Sequence, residues 1–171
     1  AGQLKRIEGC EVVALCDTVP AQTKQFREKY FPEAAEYESF EGMLADATLD
    51  GVVLVTPHTL HYPQAKAALE AGLHVLVEKP MVTSSAHAYD LWRAVKASGK
   101  LLGITFQSPY TPEFGYLARA RDEGKLGKVQ LISGWLSQFW LKNTTGKWRQ
   151  NPELSGGGQM YDSGAHLLNA L

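Results

Sequence analysis

Along the first two-thirds of the chain, short apolar runs alternate with longer amphipathic ones. Four runs, "EVVALCD" (11–17), "GVVLVT" (51–56), "HVLVEK" (74–79) and "LLGITF" (101–106), are continuous and β-branched, as in strands buried on both faces of a parallel sheet. The intervals carry helical spacing: "PAQTKQFREKYF" after the first run, "SFEGMLAD" before the second, "HYPQAKAALEAG" after it and "SSAHAYDLWRAVKASG" after the third. Pro20 suits a first helical turn, Ser84 or Ser85 can cap, and Gly72 and Gly99 stand where helices end. This alternation predicts an α/β fold, a doubly wound parallel sheet joined by right-handed crossovers.

After Phe106 the rhythm changes. "YTPEFGYLARARDEGKLG" predicts a helix closing at Gly124 or Gly127, and "KVQLISGWLSQFWL" alternates as one strand of a second sheet. "NTTGKWRQNPELSGGGQ" has no period and reads as loop, and "DSGAHLLNAL" reads as an amphipathic helix reaching Leu171. Two units follow: residues 1–106, a dinucleotide-binding type of sheet, and residues 107–171, the start of an α+β domain. The opening "AGQLKRIEG" has the spacing of a helix's last turns, stopping at Gly9.

Composition narrows the partners. The chain has 171 residues, 44% hydrophobic and 20% charged, with a formal net charge of -1, so it has no basic field for nucleic acid or for a membrane surface. No run of about 18 apolar residues suggests a membrane span. Cys10 and Cys16 form neither a CxxC site nor a disulfide framework, which favours a reducing, cytoplasmic setting; an export signal is not readable from this stretch. A small molecule is the expected partner.

In doubly wound sheets ligands sit beyond the carboxyl ends of the strands. Asp17 ends the first run, where an acid accepts hydrogen bonds from a ribose and repels a 2'-phosphate, favouring NAD over NADP; the alternative is a cap for the turn "DTVP". The glycine fingerprint expected about 20 residues earlier does not occur in these residues. Thr56 and Pro57 form the next turn, followed by His58 and His61, which can meet a ligand, cap a helix or, as HxxH, hold a metal; no third metal ligand is evident. In "VEKP", Glu78 and Lys79 arrive as the strand leaves the sheet, and Pro80 ends its ladder. Lys79 thereby points toward the crevice, or it forms a plain surface ion pair with Glu78.

"TPHTLHYPQAKAALEAGLHVLVEKP", with "VVALCD" before it and "LSGGGQMYDSGAHLLNAL" after it, resembles the Gfo/Idh/MocA oxidoreductases over essentially the whole chain. The resemblance implies an N-terminal NAD(P)-binding Rossmann domain whose first strand and glycine loop lie outside this sequence. It further implies a C-terminal α+β domain whose open sheet makes a homo-oligomer, and oxidation or reduction of sugars, cyclitols or their derivatives. By resemblance Asp17, Thr56, Pro57, His61, Glu78, Lys79 and Pro80 contact the cofactor, and Lys79, Asp162 and His166 are catalytic; no metal is implied. Asp162 and His166 stand at i and i+4, so an α-helix would project both from one face, His166 as general base and Lys79 stabilising the reacting oxygen. A plain helix N-terminus, with Asp162 as a first-turn acid, is the structural alternative.

The chain departs from the family pattern at His58, often asparagine, at Asn169, often aspartate, and at Gln107 and Ser108, near which an arginine is frequent. Within the same resemblance, two other functions stay open: a redox-neutral glycoside hydrolase and a non-catalytic binding regulator. "SGGGQ" is a hinge or close-packing turn rather than a phosphate cradle, since no strand precedes it. Trp135, Phe139, Trp140 and Trp148 either stack on a sugar or line one face of a strand.

Overall fold

In a computed structural model the described residues are 2–170. Five short strands and the helices between them make up the first part: β1 Ala14–Cys16, α1 Pro20–Tyr30, β2 Ala35–Tyr37, α2 Phe40–Asp46, β3 Gly51–Leu54, α3 His58–Glu70, β4 His74–Val77, α4 Ser85–Ser98 and β5 Leu102–Ile104. All pairings are parallel, in two pieces, β1 with β2 and β3–β4–β5. Local chemistry starts and stops the helices as expected. Pro20 opens α1, Ser84 Oγ accepts from the His87 amide, and Gly99 ends α4 at φ 67°. Ser39 caps α2 by accepting from the Gly42 amide.

Strand β2 escapes the sequence pattern because "AEY" has no apolar run. Its backbone holds it in place: the Ala35 amide donates to the Val13 carbonyl (2.9 Å) and the Asp17 amide to the Tyr37 carbonyl (3.1 Å). Helix α3 begins at His58, three residues before the predicted start, and tolerates Pro63 inside it. Near the start of the chain only one 3-10 turn, Leu4–Arg6, forms where a helix end is predicted.

The sheet is buried on one face, not on both. Val52, Leu54, Val75 and Val77 pack with Ala65, Ala68 and Leu69 of α3 and Leu91 of α4, all within one core. The alternate residues face outward, and Val53 is 48% and Val55 70% exposed. Period-two geometry sends neighbours to opposite faces, and α3 and α4 cover only one of them. Each fully buried Leu here stabilises by about 1.5–3 kcal/mol relative to leaving it in water.

Residues 107–170 contain no strand. A 3-10 turn (Ser108–Tyr110) leads to α5 Pro112–Asp122, and Gly124 and Gly127 follow at φ 72° and 63°, as predicted. The predicted strand "KVQLISGWLSQFWL" is irregular up to residue 139, with Leu131, Trp135 and Phe139 at 85%, 90% and 81% exposed, and Trp140 already begins α6, Trp140–Thr144. A strand is defined by a partner that takes its N–H and C=O groups, and among the described residues this segment meets none. The predicted loop instead folds locally, as a 3-10 turn (Trp148–Gln150) and α7 Pro152–Ser155. The terminal helix is broken into a π-helical turn, Met160–Gly164, and α8 Ala165–Ala170; Leu171 lies outside the described residues.

This second part is fastened onto the first by α7. Thr59 Oγ1 donates to the Glu153 and Leu154 carbonyls (2.9 and 3.1 Å), and His58 Nδ1 donates to the Ser155 carbonyl (3.0 Å), so α3 side chains satisfy the open end of α7. Gly156 caps α7 at φ 68°, and a Cβ there would collide with the Thr83 side chain. "SGGG" is therefore a close-packing turn.

Candidate functional site

Strand β4 delivers Glu78, Lys79 and Pro80 to the carboxyl end of the sheet, and the Lys79–Pro80 peptide is cis. There the Lys79 ammonium meets Asp162 of the π-helical turn. Lys79 Nζ donates to Asp162 Oδ1 at 2.9 Å and to the Asp162 carbonyl at 2.6 Å, and both side chains are only 12% exposed. The other carboxylate oxygen, Oδ2, accepts from Trp140 Nε1 at 2.8 Å, while Arg149 Nε approaches Oδ1 at 3.4 Å. Burial raises the Asp162 pKa, but the Lys79 and Trp140 hydrogen bonds and the Lys79 and Arg149 charges outweigh it, and the carboxyl sits below its ordinary value. An ammonium has three donors, and two are committed to Asp162, leaving one for a ligand.

His166 is the second residue of α8 and lies edge-on to Phe106, ring centroids 6.0 Å apart. Its Nδ1 is buried and has no hydrogen-bond partner among the described residues. Burial first, then the Lys79 charge, lower its pKa, so the imidazole is neutral and able to accept a proton at neutral pH. The ammonium, the carboxylate and the imidazole thus share one electrostatic neighbourhood. The turn that carries Asp162 is π-helical, wider than an α-turn, and Asp162 faces Lys79 and Trp140 while His166 faces Phe106.

Of the residues expected at the cofactor, Asp17 sits exposed at the end of β1, with Oδ1 accepting from the Val19 amide at 2.9 Å. That is the turn-cap alternative, and among the described residues Oδ2 has no hydrogen-bond partner. Thr56 and Pro57 follow β3, with Thr56 Oγ1 donating to Gln64 Oε1 at 2.6 Å. Glu78 Oε2 accepts from the Lys79 amide at 3.2 Å. His61 is placed differently from the expectation: fully buried, with Nδ1 and Nε2 each 2.8 Å from the carbonyls of Pro80 and Thr56. It ties two strand-end turns together, and neither nitrogen is left for a ligand.

Three further side chains surround Asp162, and the sequence reading gives two of them, His58 and Trp140, other roles. His58, read as a ligand, a cap or a surface residue, is buried beside Asp162 with Trp148 edge-on at 4.8 Å. Burial lowers its pKa, so the 3.8 Å approach of Nε2 to Asp162 Oδ1 is a neutral contact and not a salt bridge. Trp140 lies at the end of the predicted strand, 22 positions before Asp162, and Arg149 in the stretch without period, 13 before it, and only the fold reveals their target. Among the described residues, no group of three His, Cys, Asp or Glu side chains is placed to hold a metal.

Residues 2–106 match the family described as an oxidoreductase family with an NAD-binding Rossmann fold, and residues 114–171 match the Gfo/Idh/MocA C-terminal domain. The chain belongs to the Gfo/Idh/MocA oxidoreductase family. It is 30% identical to the D-glucoside 3-dehydrogenase of Escherichia coli, over 94% of this chain and 45% of that protein. It is 27% identical to the NADP(+) scyllo-inositol 2-dehydrogenase IolW of Bacillus subtilis, over 81% of this chain and 38% of that protein. Among solved structures it resembles the WlbA dehydrogenase of Bordetella pertussis in complex with NADH and UDP-GlcNAcA, with a TM-score of 0.87 and 25% identity, covering 98% of this chain and 49% of that one. The chain thus spans less than half the length of these family relatives.

The α/β Rossmann architecture and NAD as its cofactor are those of the family. The residues present suit that cofactor at the sheet's carboxyl end: an exposed acid after β1, and two buried polar atoms without hydrogen-bond partners among the described residues, Thr105 Oγ1 just after β5 and His166 Nδ1. No GxGxxG for the pyrophosphate occurs in the sequence.

Proposed function

We propose that the protein is an NAD-dependent dehydrogenase acting on a hydroxyl carbon of a sugar, cyclitol or sugar derivative, with Lys79, Asp162 and His166 as its catalytic residues. The observation that carries this reading is the Lys79–Asp162 pair at 2.9 Å in the neighbourhood of an imidazole whose Nδ1 has no hydrogen-bond partner among the described residues. Residues 1–106 are read as the cofactor domain and 107–171 as the first part of the substrate domain, with Asp17, Thr56, Pro57 and Glu78–Pro80 toward the cofactor. NAD, when bound, supplies the hydride acceptor or donor.

In the oxidative direction His166 takes the hydroxyl proton as the carbon loses its hydride. The remaining Lys79 N–H donates to the reacting oxygen and stabilises the charge that builds there. Asp162 fixes the ammonium, and Trp140 fixes Asp162. The similarity to sugar and inositol dehydrogenases supports this substrate class. Self-association is part of the reading and is supported by the exposed Leu131, Trp135 and Phe139. A cytoplasmic setting is part of the reading and is supported by two free thiols, Cys10 and Cys16.

The test is a screen of sugars, cyclitols and amino-sugar derivatives with the full-length protein, following absorbance of the NADH band. Turnover is expected, and His166→Ala should lower it by about two to four orders of magnitude. Cofactor binding without turnover of any hydroxylated substrate would favour a regulator. Release of a glycoside's substituent without net NADH would favour the redox-neutral hydrolase.

A further inference from the structure

Beside Asp162 a cavity of about 530 Å³ opens between Trp140, Asn143, Lys147, Arg149 and Ser163. A second, of about 370 Å³, shares Trp140 and Arg149 with it. The charge around the first is unbalanced. Lys147 and Arg149 lie in its wall and Lys79 stands behind Asp162, against the one carboxylate of Asp162 itself, whose two oxygens are already engaged by Lys79 and Trp140. Glu78 is outside this wall and turns back on the Lys79 amide.

Elsewhere some basic side chains pair with carboxylates, Arg27 with Glu36 at 2.7 Å and Lys66 with Asp90 at 2.6 Å, while others, Lys128 and Lys142 among them, have no such partner among the described residues, so the weight falls on Arg149. Lys147 has no carboxylate partner among the described residues. Arg149 offers only Nε, at 3.4 Å, to Asp162, and its guanidinium carbon lies 4.4 Å from the centre of the Trp148 ring. That contact places the cation over the indole, and among the described residues its terminal nitrogens have no hydrogen-bond partner, so they can bind two oxygens side by side. A solvated basic loop would explain Lys147 alone. It does not explain a half-buried arginine held against an indole at the mouth of the catalytic cluster.

We propose that the substrate carries an anionic group, a carboxylate or a phosphate, which is bound by Arg149 and Lys147 while its hydroxyl carbon faces Lys79 and His166. This rests on the dehydrogenase reading above and narrows its substrate to acidic sugars. The guanidinium fork matches the planar oxygen pair of a carboxylate and two oxygens of a phosphate alike.

The test uses the full-length protein with NAD and hexoses of matched stereochemistry in three forms: neutral methyl hexosides, hexuronates and hexose 6-phosphates. One anionic form should exceed its neutral counterpart in kcat/KM by about tenfold or more, the effect of a charge-assisted hydrogen bond. The advantage should shrink as salt rises, and which form wins separates carboxylate from phosphate. Arg149→Gln and Lys147→Gln should each narrow the anionic-to-neutral ratio, and Arg149→Lys should restore part of it. Neutral hexosides turned over as well as both anionic forms would overturn the inference and leave the dehydrogenase reading intact, as would a preference that neither substitution changes. No turnover of any form with NAD bound would sink both.

Discussion

Residues 2–106 and 107–170 obey different physics. In the first part, each strand lies against a parallel neighbour and two helices cover one face, so hydrophobic period and position in the fold agree. In the second, order comes from specific polar fastenings: Thr59 and His58 on the end of α7, Trp140 on Asp162, and Asp162 on Lys79. A core built on area tolerates the loss of a single contact. A junction whose central hydrogen bonds are wholly or partly buried does not, because breaking one of those leaves a desolvated group behind.

The largest expected effect therefore lies at the junction. Lys79→Met removes the cation from a carboxylate that is 12% exposed, and breaking such a pair costs about 3–5 kcal/mol of stability. Denaturant unfolding of the full-length protein measures this loss, and hydride transfer should fall by about two orders of magnitude or more. A stability change below 1 kcal/mol would mean that water reaches Asp162 and that the junction is not a desolvated pair.

Next comes the core. Leu91→Ala, at a fully buried position in α4, should cost about 2–5 kcal/mol. Phe139→Ser, at an 81% exposed position, should stay within about 0.5 kcal/mol in the chain as described here. Equal losses at the two sites would erase the contrast between the regions and would mean that the 128–139 segment is packed in solution.

The same contrast explains what was legible beforehand. The strands and helices of residues 11–106 could be read because burial selects residue types at a fixed period. β2 could not, since "AEY" is placed by the Val13 carbonyl and the Asp17 amide and not by burial of its side chains. The predicted strand at 128–141 failed for the complementary reason: alternation is visible in one segment, but pairing is a property of two. At the site, Lys79, Asp162 and His166 were visible through family spacing. Trp140 reads only as a sugar-stacking or strand-face aromatic and Arg149 not at all, because a single indole N–H or guanidinium carries no local sign of its partner. His61 shows the converse: a motif position that looks chemical, yet serves two backbone carbonyls.

A smaller effect is expected at the turn that lets α7 reach α3. Gly156→Ala adds a Cβ in the left-handed region, at φ 68°, directly against Thr83, and should cost about 1–2 kcal/mol from backbone strain alone. Thr83→Gly combined with it should restore part of the loss by opening the space. An unrestored double variant would assign the whole cost to the backbone.

The smallest effect separates the groups of the site by pH. His166 and His58 both have pKa values lowered by burial from the ordinary 6.5, so the unfolded chain binds their protons more readily than the folded one. Stability should therefore decline as pH falls through 6.5, and the decline should continue until the folded-state values are passed. Asp162 works in the same direction but lower. Its folded pKa lies below the ordinary 3.8, so the stability it contributes is complete above 3.8 and is lost only as pH drops through that value toward the folded one. Between these windows the junction should hold with Asp162 ionised while turnover is already failing, because a protonated His166 cannot accept the substrate's proton. Thermal unfolding and kcat/KM measured across pH 4–8 test this: the acid limb of kcat/KM should fall below pH 6.5, well before Asp162 protonates. An acid limb with its midpoint above 6.5 would remove His166, as placed here, from the role of base.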